Sequence, residues 1–147
     1  MISASQLKQI QNGEALFVYN INDTKNTKKI PRLTTVFKNS CELCYNSILS
    51  LVNEAVLGVQ TTKDTSITLT IPVKLLKSVR NHISIVTLLY GNYNISSKSY
   101  DKTIFEKNKT TCPLDLAIDY YTALGYTVEN LSDLTNPENL VLQISWL

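Results

Sequence analysis

The chain switches between two periods of hydrophobic and polar residues, and each switch marks an element. The longest helical period runs from Asn39 to Val59, where Cys41, Cys44, Tyr45, Ile48, Val52, Ala55, Val56 and Val59 line one face. Asn39 is placed to cap this helix, with Glu42 three residues on, and Gly58 sits where it should stop. A second helical stretch begins at Pro113, whose missing N–H costs nothing at a first helical position. Leu114, Ala117, Ile118, Tyr121 and Leu124 form its apolar stripe, Asp115 meets the positive end of the dipole, and Gly125 supplies a left-handed stop. Strict alternation over Ser66–Ile71 puts Ile67, Leu69 and Ile71 on one strand face, and Leu140, Leu142, Ile144 and Trp146 repeat the pattern at the end. Tyr126–Leu131 favours a further strand, and Leu134–Asn139 carries turn chemistry. The last stretch therefore reads as a helix laid across two strands, with the Trp146 indole buried to fix the chain end.

The remaining segments are less regular. Residues 1–13 place Ile2, Leu7 and Ile10 among polar neighbours, which suits a short helix or an arm that docks on a neighbour. Ala15–Ile21 and Ile30–Phe37 predict two strands around a polar loop, with Pro31 where a lost donor is tolerated. Pro72 to Gly91 predicts a helix through Leu75, Leu76, Val79, Ile83, Val86 and Tyr90, although Ile83–Leu89 is rich enough in β-branched residues to suit a strand. Helix is favoured because proline, helix, glycine and short strand recur from Pro113 to Val128, a weak internal duplication. Residues 92–111 are polar and lysine-rich, with Ile104-Phe105 as their apolar anchor, and read as a long excursion. The expected fold is α+β: a small, mostly antiparallel sheet packed with two or three helices, with an N-terminal arm and long loops. The expected division is an arm and possible hairpin over 1–38 and a compact core over 39–147.

Composition narrows the class. One domain is expected for 147 residues, and a net charge of +2 is too weak to argue for nucleic acid. No apolar run reaches the ~20 residues that span a bilayer, and Met-Ile-Ser-Ala-Ser-Gln lacks the basic and apolar regions of a secretory signal. An odd number of cysteines, Cys41, Cys44 and Cys112, argues against a disulfide framework and for synthesis in a reducing place.

Candidate chemistry is sparse. Cys41-Glu-Leu-Cys44 is a CxxC that could join Cys112 and His82 in a zinc site, but both of its cysteines fall on the apolar stripe of a helix, as core thiols do. His82 has no nucleophile elbow or second histidine beside it. Asp115 and Asp119 share a helix face, where a solvated pair is the simpler reading. No phosphate-cradling loop is present. No catalytic residue, metal ligand or cofactor is therefore assigned, and no enzyme is expected. Two basic clusters remain, Lys25, Lys28, Lys29 and Arg32, and then Lys98, Lys102, Lys107 and Lys109 near Tyr93, Tyr100 and Phe105. Aromatic and basic residues together suit single-stranded nucleic acid, but Asp101 and Glu106 dilute the second cluster.

Ile2-Ser-Ala4, Thr70-Ile-Pro72, Leu124-Gly-Tyr-Thr-Val128 and Ile144-Ser-Trp146 together resemble small virion-associated proteins of tailed bacteriophages. In these, an "ISA" start precedes a helix, a strand ending in Ile-Pro, a helix ending in Leu-Gly-Tyr-x-Val and a last strand ending in Ile-Ser-Trp. The resemblance covers about half of the chain. It departs at residues 14–38, an extra hairpin, and at 73–112, which separate pieces that lie close together in the shorter relatives. It implies a non-enzymatic structural component of the virion, head-associated or at the head–tail junction. Such a protein is made in the host cytoplasm and contacts other virion proteins in a symmetric assembly, without membrane or nucleic acid. The contacts would come from Ile2, Leu7 and Ile10, from Lys25, Lys28, Lys29 and Arg32, and from Tyr93, Tyr100 and Phe105, on segments that order against neighbours. The alternative is a soluble phage-encoded module binding a host protein or nucleic acid.

Overall fold

The computed structural model describes residues 2–13, 36–79 and 83–146. They form the α+β fold that the pattern predicts, with the antiparallel strands divided between two small sheets rather than gathered in one. Helix α1 (Ala4–Gln11) is followed by α2 (Val36–Gly58), strand β1 (Ser66–Pro72) and a 3-10 turn over Val73–Leu75. Next come α3 (Ile85–Tyr90), the hairpin strands β2 (Asn92–Asn94) and β3 (Ser99–Asp101), α4 (Thr103–Lys107) and α5 (Pro113–Ala123). Strands β4 (Thr127–Asn130) and β5 (Asn139–Ser145) end the chain.

The larger sheet has the order β1-β5-β4, with Leu69 opposite Leu142 and Ile144 opposite both Ile67 and Val128. Ile71, Leu140, Leu142 and Ile144 are buried, whereas Thr68, Thr70 and Glu129 are exposed, so one face meets the core and the other water. Helices α2 and α5 pack against each other over the buried face. Alternation predicted both long strands, and α5 forms as expected: Pro113 opens it, and Gly125 leaves it at φ +93°. Trp146 is only 1% exposed, so the indole anchors the chain end.

Several expectations give way. The described part of α2 begins at Val36, which places Asn39 inside the helix rather than at its cap, and carries the end of the predicted 30–37 strand into helix. Phe37, Ser40, Cys41 and Cys44 extend one buried stripe back by a turn, and Phe37 packs on Phe105 with ring centroids 5.7 Å apart. A domain boundary between residues 38 and 39 therefore falls within α2. The predicted strand Ala15–Ile21, and 30–35 of the second, lie outside the described residues.

The helix predicted from Pro72 to Gly91 is not continuous. Pro72 closes β1 opposite Asn139, and after the 3-10 turn the backbone leaves helix altogether. The N–H groups of Lys77 and Val79 donate to the hydroxyls of Ser47 and Ser40 on α2, at 3.2 and 3.1 Å. Side chains of a neighbouring helix thus take the donors that a helix would have used. Among the described residues from 76 to 91 only Ile85–Tyr90 is helical, so within the ambiguous Ile83–Leu89 stretch residues 85–89 are helix rather than strand, and Ile83 and Ser84 are neither. Gly91 (φ +95°) then leads into β2 as Gly125 leads into β4, so both copies of the helix–glycine–strand unit form, in different sheets.

Residues 2–13 and 92–111 are not loose. A reciprocal cap opens α1: Gln6 N–H donates to Ser3 Oγ at 3.1 Å and Ser3 N–H to Gln6 Oε1 at 2.9 Å. Ile2, Leu7 and Ile10 then bury themselves in the chain's own core. The 92–111 excursion is a hairpin followed by α4, pinned by buried Phe105.

Candidate functional site

A cleft of about 910 Å³ opens between the β2–β3 hairpin, the start of α5 and the segment from Asn130 to Pro137. Its aromatic wall is a chain of tyrosines. Tyr100 packs on Tyr90 on one side and Tyr93 on the other, with centroids 5.5 and 5.2 Å apart and rings tilted by 50° and 59°. These tilted contacts hold each ring by its neighbour's edge. Leu114, Ile118, Leu134 and Pro137 supply the apolar remainder. Lys102 Nζ meets Asp115 Oδ2 at 3.0 Å across the cleft, and both side chains are about half exposed, so this pair fixes geometry more than it adds stability.

The hairpin holds the wall in place. Gly91 at φ +95° lets the chain turn out of α3, and a side chain there would overlap the carbonyl of Asp101. Asn94 Oδ1 accepts from the N–H groups of Ser96 and Ser97, at 2.9 and 3.2 Å, and Lys98 takes a left-handed φ of +52° to complete the tip. Tyr90 is buried, and its hydroxyl has no hydrogen-bond partner among the described residues. Burial pushes the Tyr90 phenol up in pKa, with the nearby Ser132 opposing. Yet the Ser132 hydroxyl is engaged with the backbone of Val141, accepting from its N–H at 2.9 Å.

Large apolar residues stand exposed around the cleft. Tyr93 is 54% exposed and Leu134 48%; Ile95, at the hairpin turn, is 82% exposed, and Leu131 follows the cleft residue Asn130. Apolar surface collected in this way marks a contact region more often than scattered exposed leucines do.

The residues proposed from sequence separate into groups. Tyr93 and Tyr100 come together in the cleft with Lys98 and Lys102, but Phe105 is buried against Phe37. Ile2, Leu7 and Ile10 belong to the core, so they offer nothing to a neighbour. Lys25, Lys28, Lys29, Arg32 and His82 lie outside the described residues. Sequence reasoning missed Tyr90, Leu134 and Pro137, because a core stripe and a turn were the simplest readings of them. A signal was there in the tyrosine spacing, since Tyr90, Tyr93 and Tyr100 flank one hairpin.

The thiols are structural in setting. Burial raises the Cys41 and Cys44 pKa values to about 12, which keeps both protonated and unreactive at neutral pH. Cys112 Sγ donates to the carbonyl of Leu89 at 3.0 Å. Among the described residues, no group of His, Cys, Asp and Glu is arranged to hold a metal ion, and no helix is long and apolar enough to cross a membrane.

Models of protein families, curated proteins and solved structures contain no match to this chain.

Proposed function

We propose that this chain is a non-enzymatic structural component of a tailed-phage particle, at the head or the head–tail junction, working through protein–protein contact. The observation that carries the reading is the tyrosine-walled cleft with Tyr93, Ile95, Leu131 and Leu134 exposed about it. Aromatic anchors in an apolar setting, with a charged pair at the edge, have the anatomy of an interface centre. The resemblance supplies the setting. Its short motifs lie in contact: Ala4 N–H donates to the carbonyl of Leu124 at 3.0 Å, and the Tyr126 ring packs on the Trp146 indole.

Fractionation of an infected lysate tests this. The protein should sediment with intact particles, and Tyr93→Ala with Leu134→Ala should return it to the soluble fraction while still folding. A protein wholly in the soluble fraction overturns the reading. The competing reading is a polynucleotide-binding module, favoured by Lys98 beside Tyr93 and Tyr100. It predicts binding to single strands that falls steeply with added salt.

A further inference from the structure

We propose that β1 is a self-association edge, which pairs antiparallel with β1 of a second copy of this chain and joins the two sheets into one.

Among the described residues, the order β1-β5-β4 leaves β1 with one open side. Which backbone groups it presents follows from the ladder. Trp146 N–H donates to the carbonyl of Thr65, and Val73 N–H to that of Glu138, at 3.1 and 2.9 Å. Hydrogen-bonded positions alternate in an antiparallel pair, so Ile67, Leu69 and Ile71 turn their backbone groups to β5. Ser66, Thr68 and Thr70 therefore turn theirs outward. Among the described residues no backbone group meets them there.

Edge strands are commonly guarded by lysine, charge, a bulge or proline. β1 has an unbroken register from Ser66 to Pro72 and no charged residue, with its one proline at the far end. Its centre, Ile67-Thr-Leu-Thr-Ile71, reads the same in both directions. Antiparallel pairing about Leu69 would set Leu69 on Leu69, Ile67 on Ile71 and Thr68 on Thr70 of the second copy. The outward N–H and C=O of Thr68 would then bond reciprocally with those of the opposing Thr70. Like-with-like matching under a twofold axis is what a second copy needs and an unrelated strand does not.

The covering helix leaves room for the addition. Leu51 and Ala55 of α2, with Leu75 at 52% exposure, form an apolar shelf along Leu69–Pro72, with an unfilled cleft of about 300 Å³ and Glu54 at its rim. A paired strand would bring the second copy's Ile67 and Leu69 to that shelf.

The test is sedimentation velocity over a concentration series from micromolar to hundreds of micromolar. The wild-type protein should pass from monomer to dimer. Thr70→Pro removes an outward N–H that β5 does not use, and Thr68→Lys puts a charge opposite Thr70 of the partner. Each should raise the dimer dissociation constant about tenfold or more, a change of ~1.4 kcal/mol, while the melting of the dilute protein stays nearly unchanged. Should Thr70→Pro fail to fold, Thr68→Lys decides alone. A wild-type monomer throughout the series, or a dimer that Thr68→Lys leaves intact, overturns the proposal.

Discussion

The hydroxyl of Tyr126 donates to the carbonyl oxygen of Ile2 at 3.0 Å, joining residues 124 apart in sequence. Around this bond the two ends of the chain are tied. A β-carbon on Gly125 would touch the Ala4 side chain at 3.4 Å, and the Tyr126 ring meets Trp146 edge-on at 6.4 Å. Gln11 closes the group: its amide donates to the carbonyls of Val59 and Asp64, at 3.0 and 2.9 Å, and its oxygen accepts from the Trp146 indole N–H at 3.0 Å. Helix α1 is thus held by a few directional bonds as well as by its apolar face.

Tyr126→Phe should release α1 before it unfolds the rest. The ring stays, but the buried carbonyl of Ile2 loses its partner, at a cost of about 1–3 kcal/mol. Hydrogen exchange should show the amides of residues 7–11 opening faster than those of α5. Equal acceleration in both would mean that α1 is not a separable unit.

The Tyr121 hydroxyl lies 2.6 Å from Asn53 Oδ1 and 3.1 Å from the carbonyl of Leu49, while Asn53 Nδ2 is buried without a partner among the described residues. Tyr121→Phe strands the Asn53 oxygen as well and should cost about 1–3 kcal/mol. Asn53→Leu removes the buried amide altogether. The double variant should therefore be less destabilised than the sum of the two single changes, because the penalty they share is counted once. Strict additivity in urea titrations would contradict the coupling.

Two glycines make a controlled pair. Gly91 and Gly13 both have positive φ, but a β-carbon at Gly91 would collide with Asp101, whereas one at Gly13 meets nothing within 4 Å. Gly13→Ala should cost only the left-handed strain, about 1–2 kcal/mol. Gly91→Ala should cost more and displace the β2–β3 hairpin, which the near-ultraviolet circular dichroism of the stacked tyrosines would report. Equal melting of the two variants would show that the close approach does not matter.

Stability should be flat near neutral pH and fall in alkali. Burial raises the Cys41 and Cys44 thiols from 9.0 to about 12, and raises the phenols of Tyr121 and Tyr126 as well. For a group whose folded pKa is raised, the stabilisation is complete below the unfolded value and is lost as pH climbs towards the folded one. The unfolded chain gives up these protons first, so each thiol should remove up to about 1.4 kcal/mol per pH unit above pH 9. Urea midpoints from pH 7 to 11 check this, and Cys41→Ala with Cys44→Ala should flatten the decline that begins near pH 9. A slope unchanged by those substitutions would assign the loss to other groups.

Sequence periodicity foretold the parts of the fold whose own residues decide them. Ile67, Leu69 and Ile71 alternate and form a strand; Pro113 and Gly125 bound a helix that has those limits. It failed where distant partners decide. Lys77 and Val79 leave helix because Ser47 and Ser40 capture their N–H groups, and no local pattern encodes that capture. The cleft was half visible for the same reason. Tyr93 and Tyr100 lie on one short hairpin, but Leu134 reaches them only through the return of the chain from β4.

Hydroxyl-radical footprinting of Tyr93 in intact particles and in the free protein tests the proposed role most directly. Tyr93 should be modified readily in the free chain, being 54% exposed, and should be strongly protected in the particle. Equal modification of Tyr93 in the two states would contradict the assignment of the tyrosine-walled cleft as the surface through which this protein is built into an assembly.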